Sequence, residues 1–331
     1  MLRLYPRKSS GMPNAFATLI SAISLTVILG SFDPAPAGED LSPVGVLPPA
    51  PMEVPLPVDS IADSSAPADS SAAASDGGAP PAAQKPAGGM VLDNHDALKF
   101  SLLMLQDGCR FIENVDSYST LFSKQERIQG DLGDVQNIEM KVMHSPNFSI
   151  YMKWKNGDTG RQLLFNDSYD DKKMVVKLGG LKGRLLPSIK LEPSSPEAMA
   201  QARYPVTEAG VHGMLKQLVH YRQLDLKSGE GSRCVRLENT VFDERDCYCF
   251  LYEYDAPKYN ATYRKSLLLL DARYHIPLRV INHTWTEAAE GITAAELDAQ
   301  TLIEDYSFTR VDFGTQLVGE DFSRDNPKYR M

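Results

Sequence analysis

The first 92 residues hold almost nothing from which a core can be built, and that confines folding to the rest of the chain. Between Ser31 and Leu92 lie twelve of the 22 prolines, and the only aromatic side chain there is Phe32. Such a Pro/Ala/Ser tract cannot bury enough apolar surface to offset the entropy lost on ordering, so residues 38–92 read as a disordered linker. Residues 93–331, about 239 in all, remain for folding, enough for one large or two small domains.

Ahead of the tract, Arg3, Arg7 and Lys8 precede an apolar run from Ala15 to Leu29. A bilayer-spanning helix usually needs ~20 apolar residues, so this shorter run behind a basic start reads as an export signal. Two readings stay open. Ala35-Pro36-Ala37 offers small residues for cleavage before Gly38, which makes residues 1–37 a signal peptide. Without cleavage, residues 15–29 become an N-terminal anchor and membrane tether, with the linker as its leash. No cysteine precedes Cys109, which closes the bacterial lipoprotein route. Either way the domain is expected outside the cytoplasm, periplasmic or secreted.

The formal charge of −9 divides into −5 over residues 1–93 (four basic, nine acidic) and −4 over residues 94–331 (30 basic, 34 acidic). A folded part so nearly balanced argues against nucleic acid as a partner, which demands a basic surface. Four cysteines in an exported chain permit disulfides. Cys247 and Cys249 stand two apart on one expected strand and point the same way, a poor geometry for a mutual bond. Cys234, on the preceding strand, is the natural partner for one of them, and Cys109 is expected buried and free in a helix. Cys-x-Cys lacks the paired CxxC spacing of structural zinc, and the six histidines are scattered, so no metal site and no cofactor are expected.

In the folded part the hydrophobic period switches between helix and strand. Leu98, Leu102, Leu105, Cys109 and Ile112 make one helical stripe in a segment starting at Asp93 or Asn94 and running to about Asn114. Gly108 weakens it. Val211, Met214, Leu215, Leu218 and Val219 make a second stripe, in a helix expected to be capped at Thr207. Strand alternation is expected at Tyr118–Glu126, Gln136–Met143, Phe148–Lys155, Arg161–Asn166, Lys173–Leu178 and Leu185–Ile189. It resumes at Arg233–Glu238, Cys247–Asp255, Lys265–Asp271, Ile276–Trp285 and Leu302–Asp312, with a helical turn at Thr293–Asp298. About ten antiparallel strands with two amphipathic helices predict an α+β domain, a curved antiparallel sheet forming an incomplete barrel covered by the two helices.

Several stretches carry a family resemblance: Tyr118 to Arg127, Ser149 to Trp154, Gly160 to Phe165, Arg203 to Gly210, and Asp271 with Ile276 to Arg279. In this order they resemble a family of uncharacterised exported bacterial proteins known only as a domain of unknown function. That family is similar in turn to the LolA/LolB lipoprotein-carrier fold, in which an incomplete antiparallel barrel is closed by helices over an apolar cavity. The resemblance spans about residues 95–322 and makes 93–331 a LolA-like domain. It implies a cavity able to hold an acyl chain, and it supplies no catalytic residue.

The candidate cavity residues are Tyr118, Phe122, Phe148, Ile150, Met152 and Trp154 on the strands, with Met214 and Leu218 on the second helix; adaptable methionines suit irregular apolar ligands. A second row, Tyr248, Phe250, Tyr252 and Tyr254, reads as cross-strand stabilisation. Arg203-Tyr204-Pro205 and Glu126-Arg127 read as ion pairs fixing loops. No Gly-x-Ser-x-Gly, His-Glu-x-x-His or phosphate-binding glycine loop is present. The expectation is therefore a non-enzymatic, extracytoplasmic binding module sheltering a lipid or lipoprotein acyl chain. The alternative is a tethered envelope or assembly component that acts through protein contacts over a self-filled core.

Overall fold

The first helix starts where the last tract ends, and its stripe decides what it covers. The computed structural model describes residues 94–286, 291–329 and 331. The expected leader, linker and membrane tether lie outside the described residues. Helix α1 (Asn94–Glu113) buries Ala97, Leu98, Ser101, Leu105, Gly108 and Ile112. At Gly108 an added Cβ would lie 2.0 Å from the His275 carbonyl oxygen, so this glycine lets the helix pack tightly on the turn carrying His275.

Strands follow in sequence: β1 (Ser117–Ile128), β2 (Asp131–Leu132), β3 (Gln136–Met143), β4 (Ser149–Trp154), β5 (Gln162–Asn166) and β6 (Met174–Lys177). Two short helices, α2 (Lys182–Leu185) and α3 (Pro196–Met199), flank β7 (Ile189–Leu191). Helix α4 (Val211–Ser228) leads into β8 (Ser232–Phe242), β9 (Arg245–Tyr254), β10 (Lys265–Asp271) and β11 (Pro277–His283). Helix α5 (Ala294–Thr301), opened by a Thr293/Glu296 capping box, precedes β12 (Leu302–Asp312). The sheet order is β7-β6-β5-β4-β3-β1-β12-β11-β10-β9-β8, antiparallel throughout, with β2 paired to β1. Its ends, β7 and β8, do not pair, so the sheet stays open. It is the incomplete barrel under two main helices that the LolA-like resemblance implied.

Four expectations are corrected. The strand expected at Leu185–Ile189 is displaced to Ile189–Leu191, and Lys182–Leu185 is helical; Pro187 has no N–H to give a ladder. The second helix begins at Val211 rather than near Thr207, because Gly210 sits at φ 91° and Val206–Glu208 forms only a 3-10 turn. The disulfide is absent, and all four cysteines are free. Cys234 lies opposite Tyr252 and shares its face, whereas Cys249 lies opposite Leu237 and points with Cys247 to the other face. Cys109, expected buried, is half-buried.

The main core lies between the concave sheet face and helices α1 and α4. A smaller one sits on the convex face, where Tyr329 stacks on Tyr151 at 3.8 Å beside Phe322, Leu164 and Met143. Tyr151 shares a strand face with Lys153, and the C-terminal segment buries that side of β4 at Tyr151 as well.

Candidate functional site

Strand alternation sends Phe122, Met152, Trp154, Leu163, Val176 and Phe308 to the concave face from β1, β4, β5, β6 and β12. The start of α4 and the segment 189–210 pass over them without filling the space. What remains is a cavity of about 180 Å³, roofed by Val206, Met214, Leu218 and Tyr221 and bordered by Ile189, Leu191, Ala198 and Tyr204.

Of the eight residues expected to line it, Phe122, Met152, Trp154, Met214 and Leu218 do. The other three sit elsewhere. Ile150 is fully buried in the core. Phe148 lies just before β4 and stacks near His144 and Phe165. Tyr118 is a helix cap: its hydroxyl accepts the Val211 N–H at 2.8 Å, where Gly210 offers no side chain. A Cβ at Gly210 would stand 2.6 Å from that hydroxyl, so glycine is required twice over, for φ and for space. Sequence reasoning missed Leu163, Val176 and Phe308. The hairpin registers Met152 to Leu163 and Leu163 to Val176 were the signal that could have found the first two.

The rim is tied down by polar contacts. Trp154 Nε1 donates to Gln136 Oε1 at 2.9 Å, and the Arg161 guanidinium lies 4.8 Å over the indole. Arg161 also donates to Gln201 Oε1 at 2.6 Å, which holds the covering segment to the sheet. Burial pulls the Arg161 pKa below its usual value. Lys124 donates to Glu126 at 2.7 Å, and the Tyr306 hydroxyl donates to the same carboxylate at 2.6 Å.

At one end the apolar face stops at a polar row. Glu126 lies opposite Glu304, Glu304 opposite Asn282, Asn282 opposite Ser266, and Ser266 opposite Tyr252. Glu304, 2% exposed, accepts from Arg203 Nε at 2.6 Å, Asn282 Nδ2 at 2.6 Å and the Tyr263 hydroxyl at 2.8 Å. Burial opposes the Arg203 charge, but the Glu304 carboxylate outweighs it and holds the guanidinium charged. Burial, then the same carboxylate, pushes the Tyr204 and Tyr263 phenols well above their usual range. Arg203 thus forms the loop-fixing ion pair expected for its motif. Its partner Glu304 was foreshadowed only by a glutamate standing on the aromatic face of its strand with Tyr306 and Phe308. Beyond the row, Arg222 is buried against Asp225 at 2.8 Å and lies 3.6 Å over the Tyr252 ring.

The second aromatic row is internal. Phe100 of α1 meets Tyr248 at 5.7 Å and Phe250 at 6.0 Å, and Tyr254 donates to Asp225 at 3.1 Å. Among the described residues no group of three or more His, Cys, Asp or Glu is placed to hold a metal, and no helix is long and apolar enough to cross a membrane. Three of the four Asn-x-Ser/Thr sequons, at Asn166, Asn260 and Asn282, are buried.

A family model for proteins of unknown function, DUF1571, matches residues 115–331. The chain belongs to the DUF1571 family. The match starts after α1, which lies outside the matched residues. No curated protein matches the chain. Among solved structures, the lipoprotein LppX from Mycobacterium tuberculosis is 11% identical, with 66% of this chain and 99% of that one covered and a TM-score of 0.38. MucB in the Pseudomonas aeruginosa MucA/MucB complex is 10% identical, with 68% and 60% covered and a TM-score of 0.39. The LolA superfamily protein NE2245 from Nitrosomonas europaea is 10% identical, with 68% and 98% covered and a TM-score of 0.28. These are distant likenesses, and the chemistry of the DUF1571 cavity stands on the residues already described.

Proposed function

We propose that this domain is a non-enzymatic binding module that works outside the cytoplasm and shelters an apolar chain, such as the acyl chain of a lipid or lipoprotein. One observation carries the reading: a cavity of about 180 Å³ under α4, walled by Phe122, Met152, Trp154, Leu163 and Leu218 and left unfilled by the protein. Cavities lined by apolar and aromatic side chains with a few polar groups are the usual form of small-molecule sites. The driving force is removal of methylenes from water, about 0.8 kcal/mol for each one buried. Met152 and Met214 adapt to chains of differing shape. The polar row at Glu126 and Glu304 is internally paired, so it marks where the apolar path ends. The basic, apolar leader of residues 1–37 supports export, with residues 15–29 as the tether if it is retained.

Native mass spectrometry of the purified full chain tests this directly. Added mass matching co-purified lipid, and displacement of a fluorescent fatty acid by lipid, are the expected results. Bare protein in repeated preparations, together with no fatty-acid binding, would refute the reading.

A further inference from the structure

The short helix α2 buries none of its residues. Leu181 and Leu185, one turn apart, are 75% and 83% exposed, and Leu186 and Ile189 follow at 49% and 42%. Four of the eleven exposed large apolar residues among the described residues thus fall within nine positions. Isolated exposed leucines are ordinary, but a cluster marks a contact surface. Its charge is equally one-sided. From Lys172 to Leu191 there are six basic residues and no acidic one, in a domain with 30 basic and 34 acidic residues over 94–331. Lys172 and Lys173 pair with Asp167 and Glu192 at 3.3 and 3.4 Å, and Lys177 donates to the Leu186 carbonyl at 2.9 Å. Lys182 and Arg184 are exposed and enter no ion pair among the described residues. Ile189 also borders the cavity, so the patch runs into its rim.

We propose that the segment from Leu181 to Lys190 docks the domain on an anionic lipid bilayer. Leu181, Leu185 and Leu186 enter the headgroup boundary while Lys182 and Arg184 meet the anionic heads, the usual division of labour in interfacial segments. A fluid apolar layer accepts leucines that protrude separately, whereas a protein partner would have to offer each one a matching pocket. In the docked orientation the cavity rim faces the membrane, so a chain can pass between the two without crossing water. That consequence rests on the acyl-chain reading; the docking does not.

Deuterium exchange of the full chain, followed in the peptide covering residues 179–190, tests the docking. Phosphatidylcholine vesicles with phosphatidylglycerol should slow exchange in this peptide several-fold, and phosphatidylcholine alone should not. Leu181→Ser with Leu185→Ser, and separately Lys182→Gln with Arg184→Gln, should each remove most of the protection. Losing two cations at an anionic surface lowers partitioning roughly 10- to 30-fold. The side chains are exposed, so melting temperatures should not change. Unaltered exchange on vesicles, equal protection without phosphatidylglycerol, or protection surviving both pairs of substitutions would overturn the proposal. An acidic protein partner in place of lipid would produce the first of these. The readout is local to residues 179–190, so attachment through residues 15–29 does not imitate it. Lipid capture by the cavity is scored separately by mass, which keeps the two failures distinct.

Discussion

The concave face is finished differently over its two halves. Over β8 to β10 it is sealed: Phe100 and the α1 stripe press on Tyr248 and Phe250, and Arg222 lies flat on Tyr252. Over β4 to β6 an equally apolar row is left beneath a void. The difference lies in the cover. A long helix, seated closely through Gly108, supplies side chains at every turn. The other half lies under α4 and the segment 189–210, which is held to the sheet by discrete polar ties such as Arg161 to Gln201 and Arg203 to Glu304. α1 fills the face it covers, whereas α4 and the pinned strap together leave room.

Substitutions can break or sharpen this contrast, and the largest effect is expected at the seam. Glu304→Ala leaves the half-buried Arg203 and the buried Tyr263 hydroxyl and Asn282 amide without their shared acceptor, and should cost about 3–5 kcal/mol in denaturant unfolding. Next, Phe250→Ala on the sealed side should cost about 4 kcal/mol, because it opens a new hole in close packing. Trp154→Ala on the open side only widens an existing space and should cost about 1 kcal/mol less while weakening fatty-acid binding, which Phe250→Ala leaves unchanged. Equal losses of stability and no binding effect would erase the distinction between the halves. Overpacking separates them further. Leu268→Trp should destabilise by about 3 kcal/mol, whereas Leu218→Trp should cost under about 1 kcal/mol and exclude ligand, as read by melting and displacement together.

The smallest effect concerns pH. Burial, with Lys216 and His144 adding to it, lowers the His212 pKa to about 4; Glu113 stands 3.9 Å away. The neutral ring is favoured in the folded state, so its contribution is complete above the ordinary histidine pKa near 6.5 and is lost as pH falls toward 4. Because the side chain is 24% exposed, about 1–2 kcal/mol should disappear over that window. His212→Gln should flatten this part of the stability profile.

Periodicity made much of the fold legible. Gln136–Met143, Lys265–Asp271 and Leu302–Asp312 lie where their alternation puts them, because side-chain direction alternates residue by residue along a strand. Trp154, Met152 and Phe122 were legible as concave-face residues for the same reason. The start of α4 was not, since it depends on the Tyr118 hydroxyl 93 residues away. The disulfide expectation failed on a related point: local spacing put Cys234 near Cys247 and Cys249, but pairing set them on opposite faces.

Composition and period alone thus determined an α+β class, an antiparallel sheet, and which strand positions are apolar. These follow from local chemistry, because side-chain alternation acts over a few residues. Tertiary structure decided which apolar row is sealed and which borders a cavity, that Glu304 is buried against Arg203, and that Leu181 and Leu185 protrude beside the rim. Each of these depends on what a distant segment places, or fails to place, against a side chain, and no local pattern encodes that distance.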